Sequence, residues 1–95
     1  MAKKTETKNN IRIIVGQRGW VHVGRVDSES DTEVVLSNAR CIRRWGTPGQ
    51  GLAFLAANGP QAATQLDAAA PVYRIHPLAI VHQYDCDPAK WDGKL

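Results

Sequence analysis

The residues in this chain best suited to chemistry are Arg40, Arg43 and Arg44, followed at once by Trp45. Arginine grips phosphate and carboxylate groups through two parallel N–H bonds, and a tryptophan face stacks on a base. No acid occurs between Glu33 and Asp67, so nothing close in sequence neutralises these three guanidinium groups. The glycine-rich stretch Gly46-Thr47-Pro48-Gly49-Gln50-Gly51 comes next, and its amides can form an anion nest. Trp20 and His22 join the same surface if their strand neighbours that of the arginines. Together these residues suit an anion that carries a flat ring, a nucleotide-type ligand. The competing reading is a solvated strand edge whose charge discourages aggregation.

The other reactive side chains lead nowhere so specific. His22, His76 and His82 include no pair at metal-ligand spacing with a third ligand nearby. Asp85-Cys86-Asp87 precedes Pro88 and reads as a turn. Cys41 would need a nearby base to act as a nucleophile; Arg40 and Arg43 favour its thiolate, but no base is evident. The glycine stretch lacks the Gly-Lys-Ser/Thr ending of a phosphate loop. No catalytic residue, metal ligand or cofactor is assigned, and a non-enzymatic protein is expected.

Positioning the ribbon requires strands. Ile11–Val15 is dense in β-branched residues, Gly16–Gly19 is a turn, and Trp20–Val26 alternates as a second strand. Gly24 inside that strand predicts a bulge or a close backbone approach. A polar loop over Asp27–Asp31 joins it to a return strand over Thr32–Ser37. Asn38 marks a bend, because Asn tolerates the left-handed region. Over 39–45, alternation points Arg40, Ile42 and Arg44 one way and Cys41, Arg43 and Trp45 the other.

Leu52–Ala57 places Leu52, Leu55 and Ala56 on one helical stripe, and Asn58-Gly59-Pro60 ends it. Residues 61–70 fit either helix or a turn with a short strand near 65–69. Val72–Tyr84 reads as a last strand interrupted at Pro77. The expected fold is mainly β with one short α-helix: a small bent antiparallel sheet or open barrel of about five or six strands. The expected organisation is a mobile basic arm over 1–10, one domain over 11–85, and a C-terminal tail over 86–95. Trp91 in that tail is expected to pack across a groove, its own or a neighbour's.

Composition narrows the partners. A chain of 95 residues makes one domain with a marginal core, so a homo-oligomer is expected. The net charge of +3 favours anionic partners but is small for a dedicated duplex binder. The acids between residues 11 and 50 are confined to Asp27, Glu29, Asp31 and Glu33, which predicts an acidic tip beside a basic surface. No apolar run approaches the roughly 18 residues of a membrane span, and no apolar stretch follows Lys3-Lys4 to suggest a leader. A cytoplasmic protein with reduced thiols is expected.

The words Val21-His22-Val23-Gly24 and Glu33-Val34-Val35-Leu36-Ser37-Asn38-Ala39-Arg40-x-Ile42-x-x-Trp45 carry a resemblance. They resemble a small uncharacterised protein family of bacteriophages and prophages, over roughly Ile11 to Tyr84. The likeness is most specific over residues 21–45. It implies a phage gene product expressed inside a host bacterium and transfers no activity. Two kinds of function follow. One is a binding protein that holds a nucleotide-type anion, and so could sequester a signal of host defence. The other is a phage structural, assembly or nucleic-acid-associated protein that uses the arm and the basic face.

Overall fold

The computed structural model describes residues 10–47 and 49–95. Three consecutive strands form its centre: β1 (Ile11–Gly16), β2 (Val21–Glu29) and β3 (Val34–Arg44). They pair as an antiparallel meander, with Ile13 opposite Val23 and Val26 opposite Leu36. The helix α1 (Leu52–Asn58) and the two-residue strand β4 (Gln65–Leu66) follow. The chain then forms β5 (Ala70–Ile75), a 3-10 turn over Pro77–Ala79, β6 (Ile80–Asp85) and a last helical turn, α2 (Pro88–Trp91). The expected β fold with one short helix is found, as an open six-stranded sheet in the order β4-β3-β2-β1-β6, with β5 also on β3.

The connectivity bends this sheet. β5 and β6 lie on opposite edges, with β3, β2 and β1 between them. In a flat sheet that separation is ~19 Å. The link over residues 76–79 includes a 3-10 turn, which rises only ~2 Å per residue, so the edges must curl toward each other. Gly24 permits the curl: a Cβ there would lie 3.1 Å from the Ala39 Cα and 3.2 Å from the Leu36 Cβ. The β2–β3 register shifts at the same place.

The sheet buries both faces. On one, Ile11, Ile13, Val21, Val23 and Ile42 pack against Leu52, Leu55 and Ala56 of α1 and against Trp91. Inside the curl, Ile14, Val26, Val34, Leu36 and Ala39 pack with Tyr73, Ile75 and Ile80. The predicted helical stripe is the buried face of α1, and Gly59 ends the helix at φ 82°, donating its N–H to the Leu55 carbonyl.

Several boundaries differ from expectation. β3 runs unbroken through Asn38, which takes φ 51° without ending the strand. β2 continues to Glu29 into the stretch read as loop. The ambiguous 61–70 stretch forms a turn and then β4. Of the expected arm, residues 1–9 lie outside the described residues. Asn10 sits with the sheet, its carbonyl accepting from the Val26 N–H at 2.8 Å. The tail folds back on its own chain: Trp91 is 0% exposed, and its Nε1–H donates to the Ala56 carbonyl at 3.1 Å.

Candidate functional site

Strand parity governs the arginine ribbon. Val23 stands opposite Arg40 and His22 opposite Cys41, so Arg40 shares a face with the α1-side core and Cys41 shares the inner face of the curl. Ile42, buried at 5% exposure, belongs to the first of these faces. Continuing the alternation places Arg44 with Arg40 and Arg43 with Cys41. Parity does not gather the three arginines on one face, although Arg40 and Arg43 both hydrogen-bond Asp67.

Nor are they all uncompensated, as expected from the sequence. Arg40 is a strut: its Nε donates to the Asp67 carbonyl at 2.6 Å and its Nη1 to the Lys94 carbonyl at 2.7 Å, tying β3 to the tail. Arg43 pairs through Nε with both carboxylate oxygens of Asp67, at 3.0 and 2.9 Å. Asp67 ends the acid-free interval in sequence, and β4 folds that interval back: Leu66 lies opposite Ile42 and Gln65 opposite Arg44. Among the described residues no carboxylate pairs with Arg44, which is exposed. Arg43 is also largely exposed, and the pair with Asp67 uses its Nε.

The neighbouring strands complete this end of the sheet. Trp20 precedes β2 in extended conformation and is 56% exposed. Trp20 lies two residues before His22, which stands opposite Cys41, so it adjoins the end of the sheet where β3 finishes. His22 stacks on Tyr73 of β5, with ring centroids 4.3 Å apart and planes at 26°. Tyr73 reaches it because Leu36 lies opposite both Val26 and Tyr73, so β2, β3 and β5 share the inner face. Trp45 is 43% exposed, and its carbonyl accepts from the Thr64 hydroxyl at 2.6 Å.

Burial sets the protonation of three side chains at this end. Burial pushes the His22 imidazole below its ordinary value of 6.5, with Asp67 pulling the other way, so the ring is neutral at pH 7. Burial pushes the Cys41 thiol up, Asp67 adds to the rise, and Arg43 opposes it. The Tyr73 phenol is pushed up by burial and then by Cys41. The thiolate expected from neighbouring arginines is thus disfavoured at Cys41, because desolvation and Asp67 outweigh Arg43.

The structure stacks His22 on Tyr73 and sets Arg43, Arg44 and Trp45 in succession at the end of β3; it gives Arg40 a structural role. Sequence reasoning missed Tyr73 and Asp67. Tyr73 carried a partial signal, an aromatic at an inward position of an alternating strand. Asp67 carried none, since only the return of β4 sets it beside Arg43.

Gly49 takes φ 67° in the glycine stretch, whose Pro48 lies outside the described residues. Thr47 is buried there, and its hydroxyl donates to the Gln50 carbonyl at 2.9 Å, closing the loop on itself. Among the described residues, no group of three or more His, Cys, Asp or Glu side chains is placed to hold a metal ion, and no helix is long and apolar enough to cross a membrane.

No curated protein and no solved structure matches this chain. One family does, from residue 10 to residue 91, a span holding every strand and both sides of the stacked His22–Tyr73 pair. The chain therefore belongs to the family described as a domain of unknown function, DUF6948.

Proposed function

We propose that this protein is a non-enzymatic binding protein that holds an anionic, ring-bearing ligand of the nucleotide type. The surface is the end of the β2–β3 ribbon, formed by Trp20, His22, Tyr73, Arg43, Arg44 and Trp45. In this reading it is a phage gene product acting in the cytoplasm of a host bacterium, where holding such a ligand would sequester a defence signal. The observation that carries the reading is Trp20, a large aromatic left 56% exposed at the start of β2, beside the end of β3 that carries Arg43 and Arg44. An exposed tryptophan offers a stacking face, and the outer nitrogens of Arg43 and Arg44 offer N–H donors to phosphate. The neutral imidazole and the raised thiol and phenol supply no activated nucleophile, which supports binding over transformation.

Isothermal titration with linear and cyclic adenine nucleotides tests this. Binding with defined stoichiometry is expected, abolished in Arg44→Ala and weakened in Trp20→Ala by the ~1–3 kcal/mol of one base–aromatic stack. Nucleotide binding that both variants retain unchanged, or no heat with any nucleotide, overturns it. The basic face also supports an alternative, a phage assembly or nucleic-acid-associated protein. That reading predicts affinity for single- or double-stranded nucleic acid that falls steeply with salt and ignores sequence.

A further inference from the structure

We infer that β6 is a pairing edge, and that its partner is a second copy of this chain adding its own β6 antiparallel across a two-fold axis. Among the described residues, β6 pairs with β1 on one side and ends the sheet order on the other. The hydrogen bond from the Cys86 N–H to the Ile11 carbonyl, at 2.9 Å, sets the phase of that pairing. With Tyr84 opposite Ile13 and His82 opposite Val15, these residues direct their backbone groups to β1. Gln83 and Asp85 then present theirs outward, in the row of free donors and acceptors that templates another strand.

The two outer strands of the curl differ in how they are guarded. β5 contains Pro71, which has no N–H to offer, and Arg74, whose guanidinium reaches Glu33 at 2.7 Å. Residues 80–84 of β6 contain no proline and no Lys, Arg, Asp or Glu. Two aliphatic side chains stand beside this edge in water: Leu78 at 84% exposure and Val81 at 56%. The β1–β6 register shifts between Val15 and Gly16, so the ladder is irregular at the Val81 end. Pairing is thereby confined to the 82–85 end, with Leu78 and Val81 packing as its flank.

Charge favours a second copy and the antiparallel sense. The strand is uncharged until Asp85 at its end, so it asks for an uncharged mate, which another β6 is. Antiparallel pairing sends the two Asp85 carboxylates to opposite ends, whereas parallel pairing sets like charges side by side. A two-fold contact also closes on itself and leaves neither edge open.

Sedimentation equilibrium of the full chain at about 100 µM decides the matter. A dimer is expected. Val81→Lys places a charge at an exposed position, and Gln83→Pro removes an outward N–H while leaving the backbone ladder to β1 intact, at the loss of the side-chain acceptor that Gln83 offers Arg12 at 2.9 Å. Each should weaken the dimer about tenfold or more while circular dichroism stays unchanged; if Gln83→Pro fails to fold, Val81→Lys alone decides. A monomeric wild type, or a dimer indifferent to a folded Val81→Lys protein, sinks the proposal. A monomer that captures only an unrelated extended peptide also sinks it. The readout is mass, so it fails or succeeds separately from the nucleotide titration.

Discussion

The α1-packed middle of the β2–β3 ribbon and its free end use the same residue types to opposite ends. On the α1 side, Arg40 donates to two backbone carbonyls, Arg25 reaches Asp92 at 2.8 Å, and Trp91 is buried with its N–H satisfied. At the far end, Trp20 and Trp45 remain in water, Arg43 is held at one nitrogen, and Arg44 has no carboxylate among the described residues. Against α1 the tail and Asp67, just after β4, supply the partners, so arginine and tryptophan become struts. At the free end the chain supplies too few, and the same side chains stay available to a ligand. Whether an arginine is structural or receptive is decided by what folds onto it.

Tryptophan substitutions sharpen that contrast most. Trp91→Ala removes a buried ring between α1 and the sheet and should cost about 3–5 kcal/mol in urea denaturation. Trp20→Ala should change stability by less than ~0.5 kcal/mol. Comparable losses from the two would erase the distinction. The arginines give the next largest effect. Arg40→Ala strands the Asp67 and Lys94 carbonyls and should cost about 1–3 kcal/mol, whereas Arg44→Ala should fall within ~0.5 kcal/mol. A destabilised Arg44→Ala protein would mean that this residue too is a strut.

The smallest effect is in pH. The folded His22 imidazole titrates below its ordinary 6.5, so just beneath that pH the unfolded chain binds more protons than the folded one. Stability is therefore full above pH 6.5 and declines as pH falls through the window below it. His22→Gln should flatten thermal denaturation midpoints across that window. Glu29, held below its ordinary 4.5 chiefly by the Arg12 hydrogen bond, gives a separate loss that begins only below pH 4.5. A slope surviving in His22→Gln between these two windows would place the titrating group elsewhere.

Much of the fold was legible locally. β-branched density located β1, β2 and β3, the Leu52–Leu55–Ala56 stripe located α1, and Pro77 marked an interruption, although the two pieces read as one last strand are β5 and β6 on opposite edges of the sheet. The site was half legible. Alternation correctly divided Arg40 and Ile42 from Cys41, because a strand's side-chain period is a local property. The expectation of uncompensated charge misjudged Arg43, which pairs with the Asp67 carboxylate, while Arg40 is held by the backbone carbonyls of Asp67 and Lys94; only the fold measures that separation.

The sequence by itself determined where the chain extends, where it turns, and which ribbon residues share a side. Those choices rest on φ/ψ preference and on solvent exposure repeating every second residue. Tertiary structure decided that Tyr73 lies on His22, that Asp67 lies on Arg43, and that the tail claims Arg40 and buries Trp91. These contacts join residues distant along the chain, and they exist because the sheet gathers β5 beside β3, returns β4 onto β3 and leaves the tail to pack against α1.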